Sequence, residues 1–123
     1  MSTESSQSLR SVNIRFDAYG EDDPEFKADL IMLMVDNLLE LKEAAKACSE
    51  TKDGKAFSAV IHKTKSTINL LDDPDLFLNI ESIKEACNNW SDSTLKKVDS
   101  FCIFTDILIR SLEHEAGRLR GRR

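Results

Sequence analysis

His62, Lys65, Ser66 and Asn69 are the residues of this chain whose types and spacing can do chemistry. Read as a helix, Phe57, Val60, Ile61, Thr64, Ile68 and Leu71 recur at three- and four-residue intervals and form one apolar stripe. At about 100° per residue, His62 lies about 140° from the centre of that stripe and faces solvent. Ser58, Ala59, Lys65 and Ser66 are its neighbours one turn away, and Asn69 follows a turn later. An imidazole nitrogen is a nucleophile toward phosphorus, and phosphohistidine can pass its group onward. Such a transfer asks the protein for positioning and charge compensation rather than for covalent work. Lys65 is spaced to neutralise phosphoryl oxygens as a point charge, and Ser66 and Asn69 to donate hydrogen bonds. The small neighbours leave room for the loops of a partner.

Other chemistries lack their residues. No Gly-rich loop cradles a nucleotide phosphate, so neither kinase nor NTPase activity is expected of the chain itself. His62 and His114 are far apart and no Glu-x-x-His pair occurs, so no metal site is expected. Cys48, Cys87 and Cys102 have no histidine at catalytic spacing; odd in number and placed on apolar faces, they read as reduced core residues of a cytosolic protein.

The elements that must position His62 are helices. The chain has 123 residues, enough for one core, with 41% hydrophobic and 32% charged residues, four glycines and two prolines. Its net charge of −5 argues against general nucleic-acid binding. The most apolar run, Phe101 to Ile109, is interrupted by Thr105 and Asp106 and is too short to span a bilayer. The polar N-terminus has no apolar h-region, so no secretion signal is expected and the reading is cytoplasmic.

Residues 1–15 read as a disordered or extended arm, with Val12, Ile14 and Phe16 lying across the helices. Asp23-Pro24-Glu25 starts a long helix with Phe26, Leu30, Leu33, Met34, Asn37, Leu38, Leu41, Ala45 and Cys48 on one face. A buried Asn37 would need a partner. After the polar turn Thr51–Gly54, a second helix from about Asp53 to Leu71 carries His62. Asp73-Pro74 opens a third, with Leu76, Ile80, Ile83 and Cys87 inward. A fourth, from Asp92 or Ser93, has Leu95, Val98, Cys102, Thr105, Ile109, Leu112 and Ala116 inward and Gly117 as its stop. The expected architecture is all-α, an antiparallel up-down four-helix bundle over residues 16–117, with a frayed basic tail at 118–123. Ile103, Phe104 and Ile107 lie off the core face and need a cover, the arm first and a homodimer second, so a monomer is preferred.

The stretch from Phe57 to Leu71, with His62-Lys63-Thr64-Lys65-Ser66 at its centre, resembles the signature helix of histidine-containing phosphotransfer (HPt) domains, whose pattern is A-H-x-L-K-[GS]-[SA]. Asp22-Asp23-Pro24-Glu25-Phe26 and the Leu-rich helix after it are similar to the family's approach to that helix. The resemblance covers roughly Phe16 to Trp90. It departs at Ile61 (commonly Ala), Thr64 (Leu) and Ser66 (most often Gly), and no Gly follows Leu71. The resemblance implies that His62 is the phosphoacceptor, Lys65 the charge-compensating lysine and Ser66 the small residue beside the imidazole.

On this reading the chain is a phosphoryl carrier of a two-component phosphorelay, without autokinase activity. His62 would take a phosphoryl group from a receiver-domain aspartate and give it to another receiver, with a hybrid histidine kinase as a further candidate partner. The chain needs no cofactor, Mg²⁺ being supplied by the receiver. Docking would centre on Lys55, Ser58, Ala59, His62, Lys63, Lys65, Ser66 and Asn69. Glu81, Lys84 and Asn88 are candidates to orient the ring. The alternatives are an HPt-like adaptor in which His62 is incidental, and an oligomerisation bundle built on Ile103, Phe104 and Ile107.

Overall fold

A computed structural model describes residues 9–16 and 23–121. Among these the chain is all-helical: α1 (Pro24–Thr51), α2 (Lys55–Lys63), α3 (Lys65–Leu71), α4 (Pro74–Asn88) and α5 (Ser93–Arg120). None of these helices is long and apolar enough to cross a membrane.

The starts are built as the residue types dictate. The Asp23 carboxylate accepts from the Glu25 N–H (3.0 Å), and Asp73 accepts from Asp75 and Leu76 (2.9 and 3.3 Å), each followed by proline in the first turn. Each such cap contributes about 1 kcal/mol. The α1 helix ends at Lys52 in the left-handed region (φ 59°), its N–H bonded to the Cys48 carbonyl. The α3 helix ends the same way at Asp72 (φ 47°), a type that tolerates this conformation. Asp72 thus makes the tight turn for which the sequence provides no glycine.

The long helices α1 and α5 form the central pair. They run antiparallel, since Arg120 meets Glu25 and Asp29 while Lys42 meets Asp106 at 2.8 Å. Between them lie Ile31, Leu38, Leu41, Phe101, Leu108 and Leu112, all fully buried. The α2 and α3 helices return along α1, with Lys63 against Glu40 and Thr67 against Asn37. The α4 helix packs on α5, and the Thr94 hydroxyl there donates to the Ala86 carbonyl (3.2 Å).

Several expectations need correcting. The helix expected from 53 to 71 is divided at Thr64, whose φ of −100° and ψ of 14° depart from helical values. Its hydroxyl donates back to the Val60 carbonyl at 2.8 Å, a bond that bends helices. The face of α1 is rotated from the expected one: Leu33 is 60% exposed, while Ile31 and Val35 are buried because α5 lies on that side. On α5, Leu95 is exposed and Phe101 and Leu108 take the core. The α5 helix runs through Gly117 to Arg120, so the expected frayed tail is helical that far. Arg118 pairs with Glu115, and Arg120 with Glu25 and Asp29.

Cys48 and Cys87 form a disulfide between the ends of α1 and α4, contrary to the expectation of reduced thiols; Cys102 is free and half-buried. Two sulfurs on separate apolar faces meet because both faces reach the core at the same end of the molecule.

Residues 9–15 of the arm carry no regular secondary structure, and the remainder of 1–15 lies outside the described residues. The Arg10 N–H donates to the Ser111 hydroxyl, its guanidinium pairs with Asp73 and Asp75 and lies over the Phe104 ring, and the Arg15 N–H donates to the Leu70 carbonyl. Val12, Ile14 and Phe16 pack against the core. The arm therefore covers Phe104, but Ile103 remains 61% exposed.

Candidate functional site

The bend at Thr64 sits between the two residues on which phosphoryl chemistry would depend. His62 lies in the last turn of α2 and Lys65 at the first position of α3. Thr64 is 1% exposed and Phe57, Ile68 and Leu71 are buried, so the apolar stripe anchors both short helices. His62, Lys65, Ser66 and Asn69 are all exposed on the opposite side. Thr67, also buried, accepts from the Asn37 amide, which supplies the partner that Asn37 needed and fixes α3 against α1.

His62, Lys65 and Asn69 line one groove of about 290 Å³ between α2–α3 and α4. Ile61 and Ile68 complete the near wall, and Phe77, Ile80, Glu81 and Lys84 form the far one. Its floor is apolar and its rim carries the charge. Among the described residues, neither the His62 ring nor the Lys65 ammonium has a hydrogen-bond or ion-pair partner. Lys84 pairs with Glu81 at 3.5 Å across one turn of α4, a loose exposed contact that gives either group up readily. An imidazole in this position offers a free nitrogen lone pair to a reactant, with two ammonium groups on the same groove to offset phosphoryl charge.

The other expected docking residues are distributed differently. Lys55, Ser58, Ala59 and Ser66 are exposed but do not line the groove. Lys63 turns the other way and pairs with Glu40 of α1 at 2.7 Å. Of the candidates for orienting the ring, Glu81 and Lys84 share the groove with His62. Asn88 lies beyond it, against Gly54.

Sequence reasoning missed the far wall as a unit. Phe77, Ile80, Glu81 and Lys84 stand at i, i+3, i+4 and i+7, one helical face, and that spacing was the signal. Among the described residues no three His, Cys, Asp or Glu side chains come together as metal ligands. No family model, curated protein or solved structure matches this chain.

Proposed function

We propose that the chain is a phosphoryl carrier in a two-component phosphorelay, an HPt-like protein in which His62 accepts a phosphoryl group from a receiver aspartate and passes it to another receiver. The observation that supports this reading is an exposed imidazole with no partner among the described residues, on an apolar-floored groove that also holds Lys65 and Lys84. In the transfer the His62 nitrogen attacks phosphorus, the aspartyl oxygen leaves with its electron pair, and the receiver carboxylate is restored. Lys65 offsets the charge of the phosphoryl oxygens, and Asn69 donates a hydrogen bond within the groove, while Ser66, outside it, is the small residue on the approach to the imidazole. The receiver brings Mg²⁺; the chain acts as a cytoplasmic carrier without kinase activity of its own. Counting α2 and α3 as one bent rod, the helices make an antiparallel up-down bundle of four, which would hold the groove on one long face.

The test is incubation with a phosphorylated receiver, reading acid-labile, alkali-stable label on the chain. Label is expected on the native protein and absent from His62→Gln; label that persists in the variant overturns the assignment. The exposed Phe77 and Leu78 beside the groove favour a second reading, an adaptor that docks a partner without phosphorylation. In that case His62→Gln binds the receiver normally and the native protein never takes label.

A further inference from the structure

The far wall of the His62 groove is packed along α5 and is also tied at both of its ends. The α4 helix packs along α5 but touches α2 and α3 only slightly, which is why a groove lies between them. At its start, Asp73 takes the Arg10 guanidinium at 2.8 Å. At its other end, Cys87 is bonded to Cys48 of α1, with the two Cα atoms 6.3 Å apart. The two cysteines are 39 residues apart, and His62, Lys65, Asn69, Glu81 and Lys84 all lie between them. One covalent link therefore closes the loop that carries the whole site.

The link is covered. Cys48 is 0% and Cys87 4% exposed. The turn between α1 and α2 folds over them so closely that a Cβ on Gly54 would stand 3.2 Å from the Cys87 Cβ. Lys52 of the same turn lies over the Trp90 ring, 5.2 Å from its centroid, fastening the turn to the far end of α4. For a reagent to reach the sulfurs this turn must lift, which asks for a local opening rather than unfolding of the α1–α5 pair.

We propose that Cys48 and Cys87 are a reversible redox site whose disulfide fixes α4 as the far wall of the His62 groove and whose reduction frees that wall. Its consequence for signalling rests on the phosphoryl-carrier reading; the structural coupling does not. Oxidation takes two protons and two electrons from the two thiols. A low-molecular-weight disulfide such as oxidised glutathione accepts them in two exchange steps and departs as two thiols; one S–S bond forms in the protein as one breaks in the reagent. Reduction by a dithiol runs the same exchange backward.

Two measurements on the native chain test this. After equilibration with oxidised glutathione, denaturation and alkylation without reductant should add a single adduct, on Cys102, and dithiothreitol should raise the count to all three cysteines. Three adducts in both conditions overturn the proposal. Isoleucine-methyl NMR spectra of the two forms should then differ at Ile61, Ile68 and Ile80, which line the groove, by more than a linewidth, while Ile107 and Ile109 of α5 hold their positions. Change confined to Ile83, one turn from Cys87, would mean that the bond is a local staple with no hold on the groove, and would equally overturn it. Neither readout uses a phosphoryl donor, so failure here is distinct from label persisting in His62→Gln.

Discussion

The α1–α5 pair and the α2–α3–α4 side are made of the same kinds of residue and are built for different ends. Along the first, two 28-residue helices bury leucines and isoleucines on their facing sides and are tied by ion pairs at one end and midway along α5. Along the second, a short bent segment and a 15-residue helix leave a groove between them, with Phe77 and Leu78 exposed and with His62 and Lys65 unpartnered among the described residues. The difference teaches where stability is held and where chemistry can take place. A close-packed seam cannot admit a reactant, and an open one contributes little to folding.

The strongest way to break that comparison is to remove one large side chain from each region. Phe101 is fully buried, its ring edge-on to Phe57 with centroids 5.9 Å apart. Phe101→Ala is expected to cost about 3–5 kcal/mol of unfolding free energy. Phe77 is 37% exposed on the groove, and Phe77→Ala should cost less than about 1 kcal/mol. Urea denaturation of the two variants checks the contrast, and equal losses would erase it.

The link between the regions comes next in size. Closing a loop of 39 residues removes denatured-state entropy worth about 4 kcal/mol on the chain-entropy model, with about 2–4 kcal/mol typical of measured disulfides. The oxidised protein should therefore unfold at clearly higher urea than the reduced one. Identical midpoints would mean that the denatured chain already keeps the two ends close without the bond.

The regions also differ in how far their sequence could be read. Helix starts were legible because Asp-Pro specifies a cap and a first turn whatever packs nearby, and Asp23 and Asp73 are used in that way. His62 was legible as an outward residue because it lies far from a strong apolar stripe. Leu33 and Leu95 were not, since a helix with apolar residues on more than one face does not say which face its partner will choose. The disulfide was hidden for a related reason: each cysteine reads as a small core residue until the fold brings the two helix ends together. Lys63 illustrates the limit on the site. It is adjacent to His62 in sequence, but α1 places Glu40 within its reach, and its ammonium pairs there and not on the groove.

On the groove side the expected effects are kinetic. Lys65→Ala should slow phosphoryl transfer about tenfold by removing a charge-assisted contact, with the urea midpoint unmoved because the residue is exposed and has no ion-pair partner among the described residues. Lys63→Ala is the control, a lysine two residues away at the end of α2 and paired with Glu40, and should leave the transfer rate nearly unchanged. Were the two variants equally slow, general positive charge would be the cause rather than Lys65's place on the groove.

The smallest effect concerns the bend itself. Thr64 is buried, and its hydroxyl gives the Val60 carbonyl a second donor besides its own N–H. Thr64→Val keeps the branched shape and removes that donor. The Val60 carbonyl retains its backbone bond, so the stability change should stay within about 1 kcal/mol. Without the back-bond the segment is free to approach a regular helix, which alters how His62 in α2 and Lys65 in α3 share the groove. Transfer should then slow severalfold in Thr64→Val while Thr64→Ser, which keeps the hydroxyl, transfers at nearly the native rate. If Thr64→Ser is the slower of the two, the buried methyl rather than the hydroxyl sets the angle. The bend is then imposed by packing against α1 and not by the hydrogen bond on its own helix.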